Sequence, residues 1–343
     1  MATVSAYSFP PFSMSHTPDV LRTLADRCPK VRNVLEEFDQ ALTEERRPPV
    51  STRLLSSSRH STPGATGEWE KFLLDVVCVS AVPLCVYTSL RDRIPDPAVF
   101  LGHGAGVNTG MLAAGAVTIG GLVRGSCAVV DQLAELQLSG GMTVLGANRS
   151  TAARLCRVVG EGTLSVAMVN SPSQTVVSGA TDDIEALEGA ARDQGLGTVR
   201  LPSPAPLHHR MLEAAVSRAS GALRRIDHGS PRIPVYSTAF GRTIGNASDV
   251  ADPVHGYTLA WAAPADLVSA MEDLQQNFDV NHFVEINASP LLTPLLHALA
   301  LPGTGVNGPS PGVRDAADAG VSLLGDLTAT KVAVSRPGVN TWR

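Results

Sequence analysis

The stretch FLGHGAGVNTGMLAAGAVT, residues 100–118, decides how this chain is read. An apolar strand, Ala98 to Leu101, runs into three glycines in five residues (Gly102, Gly104, Gly106) and leaves as a helix of small residues, Val107 to Ala116. A turn that sharp, between a strand and a helix, is a nucleophile-elbow pattern. Glycines allow the backbone to fold back on itself. The apex side chain is displayed at a helix N-terminus, where backbone N–H groups can stabilise an oxyanion. The residue at the apex here is Gly104, which has no side chain to display. A dinucleotide-binding reading would need a glycine at position 107 and an acidic residue at a strand end about twenty positions on. Position 107 is Val107, and Asp131 falls within an expected helix, so that reading is set aside.

Working outward, a second helix is expected from Ile119 to Leu138. After it the order becomes strand (143–147), helix (151–159, capped by Asn148 or Ser150), strand (164–170), strand (175–179), helix (182–194) and strand (198–202). Strand-helix-strand-strand-helix-strand over about sixty residues is the ferredoxin-like arrangement. Upstream, apolar residues at three- and four-residue steps predict a helix over 18–44, and another over 68–90. The Ser-, Pro- and Arg-rich run at 45–67 reads as a loop or insertion without periodicity. Downstream, helices are expected at 209–226 and 264–276, and strands at 234–238 and 282–286. The resulting fold class is α/β: a large α/β-hydrolase-like domain from residues 1–139 and 206–300, a ferredoxin-like insert at 140–205, and a tail at 301–343 carrying one helix at 315–327.

Bulk properties narrow the function classes. The 343 residues are 44% hydrophobic and 17% charged, with a net charge of −5, which gives no electrostatic reason to expect nucleic acid or an anionic membrane. Five cysteines without a C-x-x-C spacing suggest neither a disulfide framework nor a zinc site. The N-terminus lacks the pattern of a signal peptide, and the apolar run 72–87 reads as a buried helix rather than a membrane span, so the expected compartment is the cytoplasm.

Several phrases together resemble one family. The elbow with its A-A-G-A continuation, MVNSPSQTVVSG (168–179), LPSPAPLHHRM (201–211), PVYST (234–238), YTLAW (257–261) and FVEINASPLLTPLL (283–296) are similar, in order and spacing, to the malonyl-CoA:acyl-carrier-protein transacylases and the acyltransferase domains of fatty-acid and polyketide synthases. The resemblance implies the two-part fold above, no cofactor, and an acyl carrier protein or acyl-CoA thioester as partner. It maps the activating histidine to His208, with His209 as a one-residue alternative, and the elbow histidine to His103. Gly104 stands where the family has its nucleophilic serine, and Ala105 follows it in the elbow. Phe12 falls where a glutamine contributes to the oxyanion site, and Val129 where an arginine pairs with the malonyl carboxylate; Arg124, five positions earlier, lies on another face of that helix. Without a hydroxyl or thiol at the apex the usual acyl-enzyme cannot form. Thr109, Ser126 and Cys127 are substitute nucleophiles by residue type only. Without arginine at 129, a dicarboxylic acyl group lacks its charge partner, so a neutral monocarboxylic one is the better fit. The chain is thus expected to be a divergent acyltransferase that binds a carrier protein or intermediate, or that runs altered His208-centred chemistry. The alternative is an active transferase or thioester hydrolase for short monocarboxylic units. No metal site is expected.

Overall fold

A computed structural model describes residues 2–11, 18–56, 67–250 and 252–308. Two sheets organise it. The larger contains β1 (Ser5–Phe9), β2 (Val99–Gly102), β7 (Val235–Ser237), β8 (Arg242–Ile244), β10 (His282–Glu285) and β11 (Gly305–Asn307), in the order β11-β10-β1-β2-β7-β8. All its pairings are parallel except the β7–β8 hairpin at one edge. β1 and β2 are buried along their whole length, as expected of parallel strands covered by helices on both faces. The smaller sheet contains β3 (Gly141–Leu145), β4 (Leu164–Ser171), β5 (Gln174–Gly179) and β6 (Thr198–Leu201), in the order β6-β3-β5-β4, antiparallel throughout. With α7 (Arg149–Val159) and α8 (Thr181–Asp193) this is the ferredoxin-like subdomain. A two-residue strand from outside it, β9 (Ala265–Asp266), adds to β4 in parallel.

The helices on the large sheet begin with a correction. The expected single helix over 18–44 is two, α1 (Pro18–Arg27) and α2 (Pro29–Glu44). Cys28 is extended, with φ −127°, and Pro29 restarts the helix at its first turn, where the missing N–H costs nothing. The run expected to be a loop holds a short helix, α3 (Val50–Leu55), that buries Val50 and Leu54. Its Arg53 pairs with Asp75 of α4 (Glu68–Leu90) inside the protein. α4 is long and apolar enough to cross a membrane, but 89% of its apolar window is buried within the fold. It packs with α2, with α5 (Gly106–Ala113) and with α6 (Ile119–Glu135). Thr118 caps α6 by accepting from Gly121 N–H, and Asn148 caps α7 by accepting from Thr151 N–H at 2.9 Å.

The expected helix over 209–226 is a short 3-10 turn, Arg210–Leu212, followed by α9 (Glu213–Leu223). α10 (Pro253–Ala262), α11 (Leu267–Asn277) and α12 (Thr293–Leu299) complete the described chain. β11 comes from the stretch expected to be tail and lies on the edge of the large sheet. The helix expected at 315–327 falls outside the described residues.

Candidate active site at the Gly104 elbow

β2 ends at Gly102 and α5 begins at Gly106, so the whole reversal occupies three residues. The outer glycines are there because nothing larger fits. A Cβ on Gly102 would lie 2.3 Å from Val107 Cα, and one on Gly106 would lie 2.2 Å from the Phe9 carbonyl oxygen. Gly104 is different. Its φ is +53°, the left-handed conformation of an elbow apex. A Cβ there would meet the Met168 terminal methyl at 3.0 Å, His208 Nε2 at 3.2 Å and Pro11 Cβ at 3.4 Å. A side chain at this position would therefore point at the imidazole of His208, with only a mobile thioether end to displace.

His208 is held for such a role. Its backbone is itself left-handed, φ +58°. Its N–H donates to the Trp261 carbonyl at 2.7 Å, and its Nδ1 lies 2.8 Å from the Ala263 carbonyl. A carbonyl can only accept, so Nδ1 carries the proton and the Nε2 lone pair faces Gly104. The residue is 6% exposed, and burial pushes its pKa below the ordinary histidine value, the Ala263 hydrogen bond acting the other way. A neutral imidazole with a free Nε2 has the lone pair that general-base chemistry requires. His209, the one-residue alternative, is committed elsewhere: its Nδ1 accepts from Met211 N–H at 3.2 Å and caps the 3-10 turn.

His103 lies beneath the elbow, fully buried. Its Nε2 is 3.0 Å from Asn170 Oδ1, and its Nδ1 is 3.0 Å from Thr238 Oγ1. Gly104 N–H donates to the same Thr238 oxygen at 3.1 Å, and Asn170 Nδ2 donates to Gln174 Oε1. One assignment satisfies every atom: His103 Nε2–H donates to Asn170, and the Thr238 hydroxyl donates to Nδ1 while accepting from Gly104. Burial, partly opposed by the Asn170 hydrogen bond, lowers the His103 pKa to about 4, so the ring is neutral in this network. The network ties the β4–β5 hairpin of the small sheet to the end of β7 in the large one. The cleft above it is thereby set. Ala105 is helical, φ −60°, and its N–H makes no backbone hydrogen bond among the described residues, which leaves it free for an oxygen bound above the elbow.

The other expected positions are placed as follows. Val129 is fully buried in the apolar core, inside α6. Arg124 is at the surface, 3.6 Å from Glu45. Thr109, Ser126 and Cys127 are buried among the packed helices, and burial pushes the Cys127 thiol to about 12, which leaves it inert. Phe12 lies outside the described residues. Among the described residues no three His, Cys, Asp or Glu side chains are grouped to hold a metal. Sequence reasoning gave no role to Thr238, Asn170, Met168 or Ala263. Asn170 and Thr238 did lie in quoted motifs, but only the fold shows that they meet at His103.

The acyl transferase domain profile matches residues 66–298, more than half of the chain. A polyketide synthase 1 from Metarhizium guizhouense is 28% identical over 170 residues, half of this chain and 8% of that protein. Two solved structures share the fold. One is the acyl transferase domain of SpnD in complex with 2-(pent-4-yn-1-yl)malonyl, with TM-score 0.81, 21% identity, and coverage of 97% of this chain and 78% of that one. The other is a malonyl-transacylase in complex with its type II polyketide synthase acyl-carrier protein, with TM-score 0.78, 20% identity, and coverage of 94% and 100%. The aligned stretch is a small part of the curated relatives, but the family match over residues 66–298 includes the elbow, His103, His208 and the whole small sheet. The chain belongs to the acyl transferase domain family, of the type found in polyketide and fatty-acid synthases.

Proposed function

We propose that this protein binds an acyl thioester, delivered by coenzyme A or a carrier protein in the cytoplasm, at the Gly104–His208 cleft without forming an acyl-enzyme at position 104. The observation that carries this reading is the pairing of a bare apex with a histidine still aimed at it: His208 Nε2 lies 3.2 Å from where a Cβ at 104 would be. The partner class is suggested by the solved malonyl-transacylase held in complex with its acyl-carrier protein. The acyl group is monocarboxylic on this reading, because the position that the resemblance assigns to a carboxylate-pairing arginine is the core residue Val129, and a buried unpaired carboxylate is costly.

A second reading keeps catalysis. A neutral His208 with its lone pair facing the cleft can take a proton from water or from an incoming thiol, so that the thioester is hydrolysed or exchanged directly. Intact-mass measurement after incubation with acetyl-, propionyl- and malonyl-CoA tests the first reading: no adduct is expected on the wild-type chain, and an adduct overturns it. Gly104→Ser should become acylated by the monocarboxylic thioesters and not by malonyl-CoA. Turnover without an adduct, lost in His208→Gln, supports the second reading.

A further inference from the structure

The two helices of the ferredoxin-like subdomain carry opposite charge. α7 holds Arg149, Arg154 and Arg157 and no acidic residue, whereas α8 holds Asp182, Asp183, Glu185, Glu188 and Asp193 against the single Arg192. They pack side by side on one face of the small sheet. The strands that lead into them, β3 and β5, are antiparallel, so the helices are antiparallel too. Among the described residues no salt bridge joins one helix to the other: Arg149 reaches to Asp266 of β9, and Glu188 pairs with Arg200 of β6. A hydrogen bond from Arg154 to Gln194 Oε1, 2.9 Å, ties the middle of α7 to the end of α8. At a rise of ~1.5 Å per residue, Arg157 and Val158 then lie beside the middle of α8.

The outward surfaces of the pair are complementary to each other and cannot meet within one chain. α7 buries Ala152, Leu155 and Cys156 and turns Arg154, Arg157 and Val158 outward. Val158 is 74% exposed, more than any other large hydrophobic side chain among the described residues. α8 buries Ile184, Leu187 and Ala191 and presents Asp182, Glu185 and Ala186. Gly189 follows on that face, and a Cβ there would meet nothing within 4 Å. One helix is thus a basic ridge with an apolar knob, and the other an acidic ridge with a shallow apolar seat.

We propose that this helix layer is a self-association surface and that its occupant is a second copy of the chain. A twofold axis parallel to the helices lays α7 of each copy along α8 of the other, so that every contact occurs twice. Val158 rests on Ala186 and Gly189 of the other copy, and Arg157 lies over Glu185. The competing arrangement, with each helix on its own counterpart, opposes like charges and is disfavoured. The layer packs on the small sheet through Leu145 and Val177, while Met168, which touches the elbow apex, belongs to the core shared with the large sheet. Pairing through the helices therefore leaves both Gly104 clefts open. Helices of 11 and 13 residues give a face roughly 20 Å on a side, so two copies would bury on the order of 1,000 Å² in total. That area is at the low end for a specific interface and fits a weak, reversible dimer.

Sedimentation velocity on the full chain, from about 1 to 300 μM, reads the outcome. The wild type should pass from monomer toward dimer across that range, and less so at high salt, which screens exposed charges. Arg157→Glu and Glu185→Arg should each weaken the dimer by on the order of tenfold or more, because the twofold repeats each like-charge contact. Both positions are exposed, so the Tm of each variant should match that of the wild type. Mixed in equal amounts, the two variants should associate again, since each meets opposite charge at both crossings. Val158→Ser should weaken the dimer severalfold and leave its salt dependence unchanged. A wild type that stays monomeric at every concentration overturns the proposal. So does a dimer that neither charge reversal weakens, or one that mixing fails to restore, because the contact then lies elsewhere.

Discussion

The apex of the elbow and its underside differ in what a substitution has cost them. Beneath, His103, Thr238, Asn170 and Gln174 form a continuous chain of hydrogen bonds in which both His103 ring nitrogens and the Thr238 hydroxyl have partners. Above, Gly104 presents no side chain to an imidazole that is oriented for one. An unpaired buried polar atom is penalised directly, by about 1–3 kcal/mol each. A missing apex hydroxyl leaves only the His208 Nε2 lone pair without a protein partner, and Met168 and Pro11 already close around the position. Stability therefore weighs more heavily on the underside, where several paired atoms would be stranded, than on the apex, where one is.

The three glycines of the elbow give the largest test of that contrast. Gly106→Ala puts a methyl 2.2 Å from the Phe9 carbonyl, backbone against backbone, with no flexible neighbour to yield. The expected loss is at least ~4 kcal/mol, seen as failure to fold or a collapse in Tm. Gly104→Ser should cost only about 1–2 kcal/mol, for a non-glycine residue at φ +53° and a displaced Met168 methyl. Equal losses at the two positions would mean that the apex, too, is sterically closed.

Acid should attack the underside before anything else in the elbow. His103 has an ordinary pKa of 6.5 and a folded value of about 4, lowered chiefly by burial. The unfolded chain then binds the extra proton first, so the contribution is present in full above pH ~6.5 and is lost as pH falls from there toward 4. The fall amounts to on the order of 3 kcal/mol. His208, shifted the same way, adds to the slope. Urea denaturation at pH 7.5 and pH 4.5 measures it. His103→Gln should flatten the slope by roughly that amount, and a slope unchanged in that variant would show that His103 is not the titrating group.

The sequence made the frame legible where physics repeats itself. The βαββαβ insert could be read because four strands and two amphipathic helices each carry a period. The elbow could be read because three glycines in five residues have few other uses. What escaped was short or aperiodic. α3 has six residues, too few for a stripe. β8 and β11 have three residues each. α10 is apolar on all sides and shows no face. In the site, Gly104 and His208 were placed by motif spacing, but the two histidines 208 and 209 could be told apart only by where their ring nitrogens end up. The carbonyl of Ala263, fifty-five residues away, is what fixes the His208 tautomer.

Thr238 offers the finest cut between the two faces, because its hydroxyl serves both. It accepts from the Gly104 N–H at 3.1 Å and lies 3.0 Å from His103 Nδ1. Thr238→Val keeps the shape and removes the oxygen, stranding one backbone donor and one ring acceptor. The expected loss is about 2 kcal/mol, read from the urea midpoint at unchanged m-value. Thr238→Ser keeps the oxygen and gives up a methyl, so it should stay within ~1 kcal/mol of the wild type. Carried on a Gly104→Ser background, Thr238→Val should also slow self-acylation by butyryl-CoA, because the amide that orients the apex has lost its anchor, while Thr238→Ser should not. If both variants are equally unstable, the threonine matters for its methyl packing, and the link from underside to apex is lost.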